Sequence, residues 1–583
     1  NAKKRAFYQL MSFLLVTFFP SQFSIFAQSP LDGPGIQWFN SHWLNMETTE
    51  KSNSGEDWYY DLKPTYNDAI VTGYVGAGFS SQVNSSTSMP ANFSPFNCYL
   101  CGQDDFDETD LEHIDYEAEG GPLYIQKGCP YPKLAKIDLK GNVNWYKIYN
   151  KGAGAFRQVI QLTDQSGFIA VGYIKFDGLA ELIYNPGFIG DDDELPICSG
   201  TNYHLLYLAK VDNNGVLISD AVYGMSSLAS ALSNRSEGYD IIQDVNDGNI
   251  VIAGLASNGG VQQGFLLKIN KDDLSVIFKK TMDNTAPEKI AHATAVIENQ
   301  IDNKYYVAYT INTNNTYSMG HIRIQRFLEN GNFDGSALEI TNAIDTDIPT
   351  SATAITTCVA YNMVFNNNDL LVAAEINRND NIQATATEAL VKVYRIDLDG
   401  TMSVSNKVNA IPPMEGVFRA YDLKVGITNT SDGGYAIVST KLDHELWATD
   451  QTIEYFEDNS YLFDYNLLYC WNSDAYIAKF DENDNMLWRQ RYPFGEFSFN
   501  MFPDDIRALE CLYEIVETQD GGLTVAGNNS ENFDDDFIFK IYSDCNILTT
   551  YNEGDINQAG ILNLYGASNL WNSNKKVRGI IQI

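Results

Sequence analysis

The stretch "AYIAKFDENDNMLWRQRY", residues 475–492, reappears in outline more than three hundred residues earlier as "KLAKIDLKGNVNWYKIY", residues 133–149. In each, an apolar–basic–apolar run ends at an aspartate, Asp481 or Asp138, and a polar turn follows. Trp and Tyr then stand seven and eleven residues beyond the aspartate, as Trp488 and Tyr492 or Trp145 and Tyr149. Aligning on that aspartate recovers seven copies: "LAKID", "LAKVD", "LLKIN", "IQRFL", "VYRID", "IAKFD" and "IFKIY". The third position is basic in every copy, as Lys136, Lys210, Lys268, Arg326, Arg395, Lys479 and Lys540, and the fourth is always apolar. Seven basic residues in one column of an acid-rich chain mark a genuine internal repeat.

Each copy carries a second signature upstream, an apolar run such as "FIAVGY" (168–173), "IVIAGL" (250–255) or "LTVAGN" (523–528). Turns such as "NDGN" (246–249), "SDGG" (431–434) and "QDGG" (519–522) come before it. Asp-Gly supplies the positive φ that a tight hairpin requires. One unit is therefore strand, Gly-rich hairpin, strand, variable loop, strand, polar hairpin, outer strand. The basic columns fall 58 to 84 residues apart. Four antiparallel strands repeated seven times predict an all-β chain, a seven-bladed β-propeller of four-stranded antiparallel blades over residues 28–550. Stacked blades cover both faces of most strands, which accounts for apolar runs that do not alternate. After Tyr542 the expected outer strand, "NILTTY" (546–551), is weak, while "GIQWFNSHW" (35–43) reads as an orphan outer strand. Residues 35–45 are expected to close the seventh blade and cover its edge.

A chain of 583 residues exceeds the roughly 250–300 that one compact core sustains, which a radial repeat answers. Acids outnumber bases 75 to 38, for a net charge of −37. Such a surface repels nucleic-acid phosphates and anionic lipid heads, so neither is an expected partner. Residues 1–27 read as a signal peptide, with "KKR" (3–5) before an apolar run and a cut ahead of Gln28. Pro20, Ser21 and Gln22 interrupt that run, leaving it short of the ~20 residues a membrane span needs. The expected location is therefore secreted or at the outer cell surface, with residues 551–583 a linker and the start of a further β-rich module.

The repeats resemble those of a group of secreted Bacteroidetes β-propellers, in the pattern "YIAKFDENDNMLWRQRY … VETQDGGLTVAGN", over about residues 55–548. In that group a C-terminal sorting domain for outer-membrane secretion often follows. The resemblance implies that "NLWNSNKKVRGIIQI" (569–583) opens such a module and that the chain is truncated. The strand also resembles the docking repeat of quinoprotein dehydrogenases, here as Asp138, Gly141 and Trp145, one residue short. Ser219 and Val404 stand in the tryptophan column of other copies, so a quinone cofactor gains little support.

No catalytic constellation stands out. The six histidines are scattered, and there is no H-E-x-x-H, G-x-S-x-G or P-loop. The long insertions, 80–131, 174–203 and 442–473, all fall between second and third strands, which places them on one face. Their aromatic and acidic residues are the candidate ligand contacts: Asp104, Asp105, Asp107, Asp110, Asp191, Asp192, Tyr455, Phe456, Tyr461 and Trp471. Asp104, Asp105, Asp107 and Asp110 offer several oxygens to Ca²⁺, without the central Gly and distal Glu of an EF-hand. No other cofactor and no resident metal is expected; Cys98, Cys101, Cys129 and His113 make a weak zinc pattern. Export permits disulfides, with Cys470–Cys511 and Cys129–Cys198 as candidates. The basic column is expected to be structural, each head meeting a carboxylate or carbonyl between blades. The reading is a secreted binding or structural module for an extracellular protein or glycan. The alternatives are an enzyme acting on extracellular polysaccharide, a quinoprotein-like oxidoreductase, or a passive spacer.

Overall fold

The computed structural model describes residues 34, 36–42, 57–68, 70–80, 131–149, 151, 154–176, 203–223, 235–258, 261–282, 290–312, 320–348, 355–379, 388–398, 400–415, 425–442, 473–492, 510–529 and 535–542. Among them every regular element is a strand. Blade 1 is β2 (Asp57–Asn67), β3 (Ile70–Ser80), β4 (Tyr131–Ile137) and β5 (Val143–Ile148). Blade 2 is β6 (Gly154–Gln161), β7 (Gly167–Phe176), β8 (Tyr203–Asp212) and β9 (Leu217–Tyr223). Blade 3 is β10 (Arg235–Gln243), β11 (Ile250–Asn258), β12 (Val261–Ile269) and β13 (Val276–Thr281). Blade 4 is β14 (Ile290–Asn299), β15 (Lys304–Asn312), β16 (Gly320–Phe327) and β17 (Leu338–Ile340). Blade 5 is β18 (Ile355–Asn366), β19 (Asp369–Asn379), β20 (Glu388–Asp397) and β21 (Ser403–Glu415). Blade 6 is β22 (Gly426–Asn429), β23 (Tyr435–Leu442), β24 (Ser473–Phe480) and β25 (Met486–Tyr492). Blade 7 is β26 (Glu510–Glu517), β27 (Leu523–Asn529) and β28 (Asp535–Ile541), with β1 (Ile36–His42) as its outer strand.

All pairings within blades are antiparallel, and the first strands touch in succession around the ring until β26 meets β2. The protein is a seven-bladed β-propeller. A single parallel bridge between His204 and Arg235 also joins the sheets of blades 2 and 3. The core lies between blades. Ile324 of blade 4 packs with Leu370 and Cys358 of blade 5, and Val438 of blade 6 with Val525 and Phe539 of blade 7. Each such fully buried side chain contributes about 1.5–3 kcal/mol.

The recurring aspartate shapes the hairpin between third and fourth strands. Asp138 Oδ1 accepts from the Lys140 and Asn142 amides at 2.8 and 2.9 Å, and Asp481 Oδ1 from those of Asn483 and Asn485 at 2.9 and 2.8 Å. The recurring Trp and Tyr then clamp the next blade. Trp145 Nε1 donates to the Asn213 carbonyl at 3.0 Å, and Tyr149 OH to that of Gly215 at 2.9 Å. A Cβ at Gly215 would sit 2.7 Å from the Trp145 ring, so only glycine lets the ring lie there. In blade 6, Tyr492 OH donates to the Pro34 carbonyl at 2.6 Å, just ahead of β1. The pattern shared by residues 133–149 and 475–492 is a blade-to-blade clasp.

The basic column lies on these third strands. Lys268 reaches Asp247 at 2.8 Å, Lys479 reaches Asp432 at 2.6 Å and Lys540 reaches Asp520 at 2.6 Å. These three acids are the aspartates of the Asp-Gly turns, so the partner belongs to the same blade, where the sequence placed it between blades. The reason is that third strand and first hairpin flank the same second strand. Arg326 likewise meets Asp334 of its own blade at 2.7 Å. Four members do reach across, among them Lys268, whose Nζ also donates to Tyr305 OH of blade 4 at 3.0 Å. Lys210 Nζ donates to the Lys271 carbonyl at 2.9 Å, Arg395 meets Asp484 at 2.6 Å, and Lys136 lies 5.8 Å from the Phe168 ring centroid.

Candidate functional site

Each of the three long insertions springs from a pair of directly opposed residues. Ser80 faces Tyr131, Phe176 faces Tyr203, and Leu442 faces Ser473. Ser80 also faces Asp57 at the start of β2, so the feet stand at the end of the blades where the first strands enter the channel. The interiors of the insertions lie outside the described residues. With them go Asp104, Asp105, Asp107, Asp110, Asp191, Asp192, Tyr455, Phe456, Tyr461 and Trp471, and also Cys129, Cys198 and Cys470; nothing is described of the Cys511 side chain. Cys358 is free, and burial pushes its thiol up.

What the structure brings together beneath those feet is a ring of first-strand bulges. The register slips between Tyr59 and Asp61, Phe156 and Gln158, Gly238 and Asp240, Ala293 and Ala295, Ala360 and Asn362, and Leu512 and Glu514. A bulge turns an extra side chain out of the ladder. Here the next polar residue reaches the neighbouring blade. Asp61 Oδ2 accepts from the Val159 amide at 2.9 Å, Gln158 Oε1 from that of Ile241 at 2.8 Å, and Asp240 Oδ2 from that of Val296 at 2.6 Å. These bonds stitch blades 1 to 4 around the channel.

Two clusters grow from this ring. At the mouth, the bulged Arg157 is buried among tyrosines of three blades, 4.3 Å from the Tyr60 ring centroid, 5.3 Å from Tyr173 and 5.9 Å from Tyr239. Tyr239 OH donates to the buried Glu237 at 3.0 Å. Tyr60 also packs 5.8 Å from Phe79, next to the foot at Ser80. Desolvated cation–π contacts of this kind contribute about 2 kcal/mol. In the channel, Lys63 Nζ lies 3.1 Å from Asp61 and 3.5 Å from Glu514. Asn362 of blade 5 donates to Glu514 of blade 7 at 3.4 Å, a bond that bypasses blade 6 and so crosses the channel. Desolvation opposes the charge on Lys63, but Asp61, Glu514 and Asp240 outweigh it and raise its pKa. The acids are committed to holding the ring and one ammonium.

Sequence reasoning passed over this column, although it is visible in "YYDLK" (59–63), "FRQVI" (156–160), "GYDII" (238–242), "AYNMV" (360–364) and "LYEIV" (512–516). Each places a polar residue, Asp61, Gln158, Asp240, Asn362 or Glu514, at the same point of a first strand.

Asp244, Asp247 and Glu329 bring carboxylate oxygens within 4.8 Å of one another on the opposite face. Lys268 already sits against Asp244 and Asp247, at 2.7 and 2.8 Å, which supplies the positive charge there.

No protein-family model and no curated protein matches the chain. Similar solved structures include the Trypanosoma rangeli sialidase in complex with sialic acid, at 10% identity and TM-score 0.37, covering 70% of this chain and 56% of the sialidase. The Pseudomonas aeruginosa periplasmic gluconolactonase aligns at 11% identity and TM-score 0.34, covering 69% of this chain and 89% of its own. The Penicillium chrysogenum alpha-L-arabinanase complexed with arabinobiose aligns at 11% and 0.32, covering 65% and 91%. Likenesses at this level carry no weight in assigning an activity.

Proposed function

We propose that the protein is an extracellular binding module, exported by its N-terminal signal and recognising a protein or glycan through the insertions on the channel-mouth face. The observation that supports this is the rooting of all three insertions on opposed rungs at one end of the blades. Rigid feet hold variable loops in a fixed relation, which is how a stable scaffold presents a recognition surface. The Arg157 cluster stiffens the ground between the first two feet. Aromatic anchors from residues 454–471 and acids from residues 104–117 and 190–193 would then supply contacts, the acids with Ca²⁺ where it binds. A C-terminal sorting module fits the same extracellular reading.

The test is a glycan and protein-array screen of residues 28–583 with and without Ca²⁺. It is repeated on a variant in which a two-residue turn joins Leu442 to Ser473. The expected result is a binder whose signal the variant loses at least tenfold while its melting temperature holds. Undiminished binding by the variant refutes the assignment of that face.

The enzyme alternative rests on Asp61, Asp240 and Glu514 in the channel. It is the weaker reading because Asp61 holds the Val159 amide and Lys63, and Glu514 holds Lys63 and Asn362. Hydrolysis of a glycoside panel that disappears in Glu514→Gln would reverse the ranking.

A further inference from the structure

The hairpins joining strands one to two and three to four lie opposite the insertions, and that underside is uneven. Across blades 1 to 4 it exposes Ile70, Leu139, Val216, Val245, Ile301 and Phe333, with Ile70 62%, Val245 58% and Ile301 80% exposed. Across blades 5 to 7, Leu487 is the one large exposed apolar side chain among the described residues. Isolated exposed apolar groups are ordinary, but a series running across neighbouring blades marks an interaction surface. Acids are interspersed with them: Asp247, Asp272, Asp302 and Glu329 are all exposed.

The chain itself carries a complementary segment. The final rung of β28 pairs Ile541 with Ile36 at the underside, so the residues after Tyr542 leave from this face, at blade 7. Residues 569–583, "NLWNSNKKVRGIIQI", hold Lys575, Lys576 and Arg578 and no acid, in a chain of net charge −37. They also hold Trp571, Val577, Ile580, Ile581 and Ile583. The 26 residues from 543 to 568 can extend about 85 Å at ~3.3 Å each, ample for crossing four blades packed ~10 Å apart.

We propose that residues 569–583 dock on the underside of blades 2 to 4, apolar side chains against Val245, Ile301 and Phe333, basic ones against the flanking acids. The proposal is independent of the insertion face and holds whether or not a further module follows. A segment seated there covers the apolar series and offsets part of the local negative charge.

The test is photo-crosslinking in the chain of residues 28–583, with p-benzoylphenylalanine in place of Trp571. In the monomer fraction, crosslinks should map to peptides containing Val245, Ile301 or Phe333. Ile301→Asp with Phe333→Asp should cut the yield at least fivefold at unchanged melting temperature, as should Lys575→Glu with Lys576→Glu and Arg578→Glu. Crosslinks confined to blade 1, to blades 5 to 7 or to the insertion face overturn the proposal, as does the absence of crosslinks. Crosslinks found only between chains also overturn it and assign the underside to a second copy.

Discussion

Tyr149 and Asp484 show how much one side chain decides. The Tyr149 hydroxyl ties blade 1 to the Gly215 carbonyl of blade 2, and a buried hydrogen bond of this kind is worth about 1 kcal/mol. Tyr149→Phe should lower the unfolding free energy by that amount in urea titration; no change would remove the bond from the account. Asp484 has φ 65°, in the hairpin position where other blades have Gly141 (82°), Gly215 (74°), Gly331 (78°) and Gly400 (77°). Its carboxylate explains the exception, holding Arg395 of the preceding blade at 2.6 and 2.8 Å and Asn406 at 2.7 Å. Asp484→Gly relieves the backbone yet removes two charge-assisted hydrogen bonds from a largely buried guanidinium, which keeps Asp369 at 3.2 Å, so stability should fall by about 2 kcal/mol. A more stable variant would show that the backbone strain outweighs the pair. Desolvation works against the Asp484 charge, but the Arg395 hydrogen bond prevails and holds its pKa below the usual range. Its contribution is therefore complete above about pH 4 and lost as pH falls through that lowered value. The variant's acid-unfolding limb should be correspondingly flatter. Residue types in the repeat were legible because the same turn recurs; the Arg395–Asp484 pair was hidden because its members lie 89 residues apart.

Among elements, β1 has the largest consequence for its length. It pairs with β28 from Ile36 to His42 and receives the Tyr492 hydroxyl at Pro34. Deleting residues 28–42 bares the β28 edge, an invitation to aggregation, and should lower the melting temperature by about 5 °C or more. An unchanged melt would show that the seventh blade does not need this strand. Strands and hairpins were readable from Asp-Gly turns and apolar runs. The bulges were not, since "YYDLK" and "GYDII" look like ordinary strands until the pairing register is known. The insertions between opposed rungs announced themselves by length, whereas their conformation has no repeat to copy.

For the molecule as a whole, the polar ring around the channel joins what the interblade cores hold apart. Lys63→Met would leave Asp61 and Glu514 facing each other without their ammonium and should cost about 3 kcal/mol. The raised pKa of Lys63 means that its stabilisation is fully present below about pH 10 and is lost as pH rises through the folded-state value. Chemical denaturation from pH 9 to 12 should therefore show a decline, beginning only above about pH 10, that the methionine variant lacks. The wheel itself was legible because one pattern recurs seven times. What it recognises was not, because the residues that differ between copies follow no shared rule.

The pairing of β1 with β28 has a mechanical side. The chain enters β1 and leaves β28 at the same rung, Ile36 opposite Ile541. A pull on the two ends therefore peels the pair one hydrogen bond at a time rather than shearing all of them at once. The ring would open under modest tension at this seam, while blades 2 and 3, bridged by His204 and Arg235, would be expected to yield together.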